Sequence, residues 1–454
     1  MRKISKFVHE FDLGDHVALW HSLRMKPVFL DRATYEEYKR GICDDALEQS
    51  LLANKILLAS DDEDDAVLAR MRAHVPGPDI GMAYFILSEN CNLACRYCFV
   101  GSDACGKGTS FKKDMTPEIA EKALDVFARQ MEASKTDYAN SESDIIFFGG
   151  EPLLNFETLR YVANRIRELK VERPVFAHTN LAVITNGTLL NEERILELAD
   201  MGVAVSISID GFTEESNENR VDKAGNSTFG RVVKVLEMYK RLNVEPPSLS
   251  VTLSEKTLED LPGMVQMLRD YKIKGFGYNV LLQKGDDRKS TEYYEKASDF
   301  IIQSFLALRE EGVYEDRIMR KLNAFANARI HFSDCGATSG GQILFTPDGK
   351  IGVCQGLMGE DENYVANIWD DGFLAQDHPF WQMWSSLVPM NNDECLDCEA
   401  LGICGGGCPV NARLQSPEKG FHCIDDRSCV HSKRTLEFLI RDFYQLVLAS
   451  SQDG

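Results

Sequence analysis

A chain of 454 residues with 44% hydrophobic content is too long for one ordinary domain and too apolar for disorder, so two to four units are expected. Its formal net charge of −21 makes nucleic acid and anionic membrane poor partners. The N-terminal "MRKISKFVHEFDLGDH" has neither a long apolar run nor a small-residue cleavage site, and no uninterrupted apolar stretch of about 18 residues follows it. The expectation is a cytoplasmic protein whose 13 cysteines are reduced thiols, better suited to metal ligation than to disulfides.

Residues 1–75 read as a small separate unit. Three short strand-like runs, "KFVHEF", "VALWHSL" and "MKPVFL", precede helical stretches such as "ATYEEYKRG" and "DALEQSLLANKILLA". Strands followed by helices suggest a winged-helix-like layout; alternatively these strands extend the main sheet. "VPGPD" (Val75 to Asp79) then reads as a linker.

Over residues 80–311 strand and helix alternate. The predicted strands are 83–88, 144–150, 181–187, 203–210, 249–254 and 275–282, and the predicted helices 117–134, 156–170, 191–200, 227–242, 258–271 and 291–311. Apolar strand runs between amphipathic helices suit a parallel sheet covered by helices. Six such units predict an α/β fold, a partial (β/α)6 TIM-like barrel, with a doubly wound open sheet as the alternative. Both put their chemistry at the carboxyl ends of the strands. From about residue 330 regular periodicity fades and eight cysteines crowd a glycine-rich segment to 430. Metal bonds are expected to supply the stability that a thin core would not. Residues 431–454 close the chain as an amphipathic helix.

Cys91, Cys95 and Cys98 follow the first barrel strand. Three thiolates on one loop can hold three corners of a [4Fe–4S] cube and leave one iron open; zinc with a distant fourth ligand is the alternative. Polar groups recur on the later strand ends: Gly149-Gly150-Glu151-Pro152, Thr185-Asn186-Gly187, Ser206, Ser208 and Asp210, with Arg220 just beyond. Any one of them is a common turn or cap. Together they converge on the cysteine loop.

The pattern Cys91-x3-Cys95-x-Tyr97-Cys98, followed by Gly149-Gly150-Glu151-Pro152, resembles the radical S-adenosylmethionine (SAM) superfamily. That resemblance implies a SAM-binding [4Fe–4S] cluster on Cys91, Cys95 and Cys98. SAM is then cleaved to methionine and a 5′-deoxyadenosyl radical that abstracts a substrate hydrogen. It also implies SAM contacts from Gly149, Gly150 and Glu151 (amino group), Ser208 and Arg220 (carboxylate), Asn186 (ribose) and Tyr97 (adenine, mainly through backbone).

The tail pattern resembles the SPASM extension of such enzymes, which implies two auxiliary [4Fe–4S] clusters. By motif position Cys395, Cys398, Cys404 and Cys423 would hold the outer one, and Cys335, Cys354 and Cys408 the inner one. Cys429 is the spare thiol in range for the inner site; otherwise that iron is open. Cys43 and Cys105 are left as ordinary thiols.

Members with this tail mostly modify peptides. The implied function is a maturase of ribosomally made peptides that installs a cross-link, favoured as a cysteine thioether of the ranthipeptide or sactipeptide type, with a carbon–carbon bond as the alternative. The precursor's leader would dock on the N-terminal unit, with "KPVFL" (26–30) as receiving strand and the helix after Tyr35 closing the groove; the alternative is a structural cap. Flavodoxin or ferredoxin would donate electrons. An anaerobic sulfatase-maturing enzyme is disfavoured by Gln355, an amide where those enzymes carry an Asp general base. A non-catalytic metal-bound scaffold is the alternative outside enzymes.

Overall fold

The computed structural model describes residues 2–98, 100, 113–281 and 289–452. Cys105 and the end of the strand expected at 275–282 lie outside the described residues.

The N-terminal unit begins with β1 (Val8–Asp12), β2 (His16–His21) and β3 (Lys26–Asp31), an antiparallel sheet of its own in that order. The reading in which these strands extend the main sheet is thereby excluded. Three helices follow: α1 (Arg32–Lys39), α2 (Asp45–Ala53) and α3 (Glu63–Ala73). Asp31 and Asp44 start the first two by accepting from Thr34 N and Leu47 N. Strand alternation sorts the sheet's two faces. Val17, Leu19 and Leu30 pack with Tyr38, Leu51 and Ile56 of the unit's own helical side. Ala18 and Trp20 point the other way, onto Ala324, Ala400, Ile403, Leu436 and Ile440.

Six strand–helix units build the barrel: β4 (Met82–Ser88), α4 (Pro117–Glu132), β5 (Ser143–Gly149), α5 (Phe156–Glu172), β6 (Thr179–Thr185), α6 (Glu192–Asp200), β7 (Val203–Ile209), α7 (Phe229–Leu242), β8 (Ser248–Leu253), α8 (Leu261–Asp270), β9 (Gly275–Val280) and α9 (Thr291–Leu308). β4 to β9 are parallel neighbours in chain order. Alternate residues such as Ile145, Phe147, Val183, Ile207 and Val251 are fully or almost fully buried in the core shared with the helices. Their neighbours, among them Ile146, Phe148, Ser206, Ser208, Ser250 and Asn279, are half-buried on the concave face. A period-two strand between a core and a lumen yields this alternation.

Beyond the barrel come β10 (Tyr314–Glu315), α10 (Asp316–Ala326), β11 (Gln342–Phe345), β12 (Lys350–Gly352), β13 (Ala366–Asn367), α11 (Pro379–Ser385), α12 (Leu401–Cys404), α13 (Pro409–Gln415) and α14 (Asp426–Gln452). The sheet order is β10-β9-β8-β7-β6-β5-β4-β11-β12-β13, with β11 parallel to β4. Two expectations are corrected here. The cysteine-rich region is not short of core: it adds strands to the barrel sheet and buries Trp381 and Trp384 completely. The last helix begins at Asp426, not 431, and so carries Cys429 within it.

The indole of Trp20 is fully buried and its Nε1 donates to Glu399 O at 2.9 Å, joining the N-terminal sheet to the cysteine-rich region. Trp20→Ala should cost about 3–5 kcal/mol in anaerobic urea unfolding, and Trp20→Phe clearly less. Equal losses would show that the packing at this junction is not what stabilises it.

Candidate active site

The loop after β4 carries Cys91, Cys95 and Cys98, and backbone contacts fix it. Ala94 N donates to Val221 O at 2.8 Å and Arg96 N to Asn219 O at 2.9 Å, so the loop lies along the segment after β7. The three thiols act electrostatically on one another, and burial pushes Cys95 up to about 11 and raises Cys91. Such thiols bind metal as thiolates, with release of protons. Among the described residues no three His, Cys, Asp or Glu side chains converge on a single ion. The thiolates of a cubane bind separate irons, so three thiols brought together on one loop suit it by their donor chemistry.

Gly149 has φ +152°, and a Cβ there would collide with Ser88 O; at Gly150 it would collide with Asn90 O. The two glycines let β5's end press against the start of the cysteine loop, with Gly150 N donating to Ser88 O and Glu151 N to Asn90 O, both at 2.8 Å. Glu151 is fully buried. Its carboxylate accepts from Leu153 N (3.0 Å), Thr185 Oγ1 (2.6 Å) and Asn186 N (2.8 Å). This carboxylate is thus used inside the fold, tying β5 to β6.

Asn186 also serves the loop. Its Nδ2 donates to Asn92 Oδ1 at 2.9 Å and approaches Cys91 Sγ at 3.9 Å. The Tyr97 side chain turns inward, where its phenol bonds Asp210 and accepts from Arg220 Nη2 at 2.7 Å. Arg220 is buried and also donates from Nε and Nη2 to Asp210 Oδ1, at 3.1 and 2.9 Å. Burial pushes the Tyr97 phenol well above its usual range, while Asp210 and the nearby Cys95 hold Arg220 firmly protonated. Ser208 sits half-buried on the concave face of β7. Asp210, named at the sequence level only as a strand-end polar group, emerges as the anchor of this cluster. An acidic residue ending an alternating strand was the available signal.

The cysteine-rich region holds two sets of thiols. Cys335, Cys354 and Cys408 act electrostatically on one another and form the inner set. Tyr84, in the middle of β4 on the concave side, feels the charges of Cys354 and Cys335. Cys395, Cys398 and Cys404 form the outer set, and here the grouping differs from the motif-based one: Cys429 lies within range of all three. Cys423 is placed among Lys419, Glu418 and Asp425, with its thiol 3.0 Å from Gly420 O. Linear spacing favours the nearer cysteine, but α14 begins early and carries Cys429 within electrostatic range of the outer three.

Asp425 was not foreseen. It receives Cys408 N (3.0 Å), Asn411 Nδ2 (2.5 Å), Ser428 Oγ (2.9 Å) and Arg427 Nε (3.1 Å), and so fixes the inner set's third cysteine. A lone Asp in an aperiodic loop gave no signal. Gln355, after Cys354, accepts from Gln342 Nε2 at 3.0 Å.

Residues 85–268 match the radical SAM superfamily. It is similar to the radical SAM cyclopropyl synthase TigE of Paramaledivibacter caminithermalis, 28% identical over 73% of this chain and 68% of that protein. The cysteine-type anaerobic sulfatase-maturating enzyme of Clostridium perfringens is 25% identical over 73% of this chain and 89% of its own length. The subtilosin biosynthesis protein AlbA of Bacillus subtilis is 23% identical over 71% and 66%. Among solved structures, anSMEcpe with bound AdoMet superposes with a TM-score of 0.65 at 20% identity, over 83% of this chain and 96% of that one. Streptococcus suis SuiB bound to precursor peptide SuiA gives 0.54 at 16%, over 94% and 100%. Both share the partial-barrel fold.

Gly149→Ala should force β5's end away from Ser88 and disorder the cysteine loop. After anaerobic iron–sulfur reconstitution the variant is expected to lose roughly one cluster's worth of iron while keeping wild-type far-UV circular dichroism. Full iron content would refute the close-approach requirement.

Proposed function

We propose that the chain is a peptide maturase that uses SAM to install a cross-link in a ribosomally made precursor, favoured as a cysteine thioether. A [4Fe–4S] cluster on Cys91, Cys95 and Cys98, with SAM, would supply reductive cleavage to methionine and a 5′-deoxyadenosyl radical. The chain's own residues orient SAM. Gly149 and Gly150 offer backbone oxygens to its amino group. Ser208 and Arg220 face its carboxylate, the guanidinium held in aim by Asp210. Asn186 stands between Cys91 and the ribose, and Tyr97 contributes backbone beside the adenine. The relatives' named roles in bacteriocin subtilosin biosynthesis and sulfatase maturation favour a peptide or protein substrate.

One observation carries the thioether reading: the pairing of Cys429 with the outer set leaves Cys335, Cys354 and Cys408 as three thiols beside the lumen residue Tyr84. An auxiliary cluster with an open iron there would accept a substrate thiolate, as open metal sites accept substrates. The lumen would hold the peptide between this set and the SAM site. Sulfatase maturation is disfavoured because Gln355 cannot take a proton.

Leader docking on β3 is supported by topology. Among the described strands β3 pairs only with β2, so its outer edge remains to receive a peptide strand. Beside the expected wall, the helix after Tyr35, Phe443 of α14, 40% exposed, stands against Phe29 of β3. Free thiols at every described cysteine suit a reducing cytoplasm with flavodoxin or ferredoxin as electron donor. No described helix is long and apolar enough to cross a membrane.

Anaerobic enzyme with dithionite, SAM and a cysteine-containing precursor encoded beside it should yield 5′-deoxyadenosine and a product lighter by two hydrogens per bridge. That product should have fewer alkylatable thiols; one that keeps all its thiols would replace the thioether by a carbon–carbon bond. Replacing Cys91, Cys95 and Cys98 together by Ala should abolish SAM cleavage and leave about two clusters' worth of iron. No 5′-deoxyadenosine from the wild-type enzyme would sink the reading altogether. Separately, Phe443→Asp should weaken leader-peptide binding about tenfold in fluorescence anisotropy, without changing 5′-deoxyadenosine formed in the absence of peptide. Unchanged affinity would move the leader elsewhere.

A further inference from the structure

Beside the two auxiliary thiol sets lies a network of charge around one buried lysine that the proposed chemistry does not use. Lys321 of α10 is its centre. The side chain is 3% exposed, and its ammonium donates to Cys404 O at 3.1 Å, the backbone of an outer-set cysteine. Its nearest carboxylate, Asp334, is 3.7 Å away, beyond hydrogen-bond reach. Asp334 directly precedes Cys335 of the inner set, and its N–H donates to Gly405 O at 2.9 Å, next to Cys404. One short stretch of backbone therefore joins both sets, and the ammonium lies against its outer end.

Asp334 cannot balance Lys321 alone. Its carboxylate is shared with Arg320 (3.4 Å), His331 (3.4 Å) and Arg317 (3.8 Å). Asp316 takes Arg320 at 2.8 Å but is itself partly exposed, and Glu315 spends its carboxylate capping α10. An ammonium has three donors, and the network uses one of them in a hydrogen bond. A buried cation so thinly paired is costly unless other negative charge lies close by. Clusters ligated by thiolates are anionic, and become more so on reduction.

We propose that Lys321, with Arg317 and Arg320 behind it, is a positioning and tuning element whose positive charge favours the reduced state of the auxiliary clusters on both sides. This rests on the reading that the two thiol sets hold redox-active clusters.

The test is a redox titration of the reconstituted holoenzyme followed by electron paramagnetic resonance. Lys321→Met removes the charge and keeps the bulk. It should shift the one-electron equilibrium of at least one auxiliary cluster about tenfold toward the oxidised state, about 59 mV. The signal of the SAM cluster should stay in place. Lys321→Arg keeps the charge and should keep the potential. A loaded Lys321→Met enzyme with wild-type potentials would overturn the inference while leaving the cluster reading intact. If Lys321→Met fails to load, Arg317→Met is read by the same criterion. Wild-type enzyme whose tail shows no reducible cluster would overturn both.

Discussion

One buried carboxylate holds the working end of the barrel together. Glu151 ties β5's end to the start of β6's loop through Thr185 and Asn186, and its own N–H reaches back to Asn90 in the cysteine loop. Burial raises its pKa, so ionisation at neutral pH opposes folding, and the three donors offset that cost. The arrangement requires glycine at 149 and 150, because any Cβ would occupy the space the loop backbone fills. The cysteine loop is thus positioned by backbone and by a carboxylate that never meets solvent, and the thiols need contribute little to their own placement.

From this anchor outward the three regions behave as one body. β11 lies against β4, so the cysteine-rich region is built onto the barrel's first strand, beside the cysteine loop. The N-terminal sheet puts Trp20 on the far side of that same region, and Arg72 of α3 reaches Met390 O at 2.8 Å. A peptide docked at β3, as proposed, would be held by the layer that carries the outer thiols, and α14 joins the two: it bears Cys429 near its start, and Phe443 against β3 near its end.

The barrel was legible because its strands are apolar runs bounded by turn residues. Each begins and ends within about two residues of its expected place. The glycine pair and the first three cysteines were legible because local spacing constrains them. What escaped was set by long-range packing. α10 went unread although "DRIMRKLNAFA" carries an apolar stripe in Ile318, Leu322 and Phe325, because it falls between the last barrel helix and the cysteine-rich segment; it supplies Lys321, whose ammonium bonds Cys404 O. The core of the tail was invisible because its long-range ties do not show in local pattern: Trp381 Nε1 donates to Gln342 O in β11 and Trp384 packs on Phe421. Cys423 and Cys429 could not be told apart by counting, since the early start of α14 is what brings Cys429 within electrostatic range of Cys404. Tyr35 follows the same rule, its orientation set by Glu10 on a different strand.

The lumen itself carries an asymmetry. Its β4–β5 side is apolar, with Tyr84, Ile86, Ile146 and Phe148 packed beside Leu344 and Met358. Its β7–β9 side is polar, where Asn279 Nδ2 donates to Ser250 Oγ at 2.8 Å and Arg317 Nη2 to Asn279 Oδ1 at 3.1 Å. The apolar wall lies under the inner thiols, where a low dielectric would strengthen the interaction of a thiolate with a metal. The polar wall lies opposite, where backbone amides of an extended peptide would find partners. A chain lying between them would be held by its main chain on one side and would present a side chain to the thiols on the other. That division of labour lets one lumen accept varied residues while fixing which face of the peptide meets the inner set.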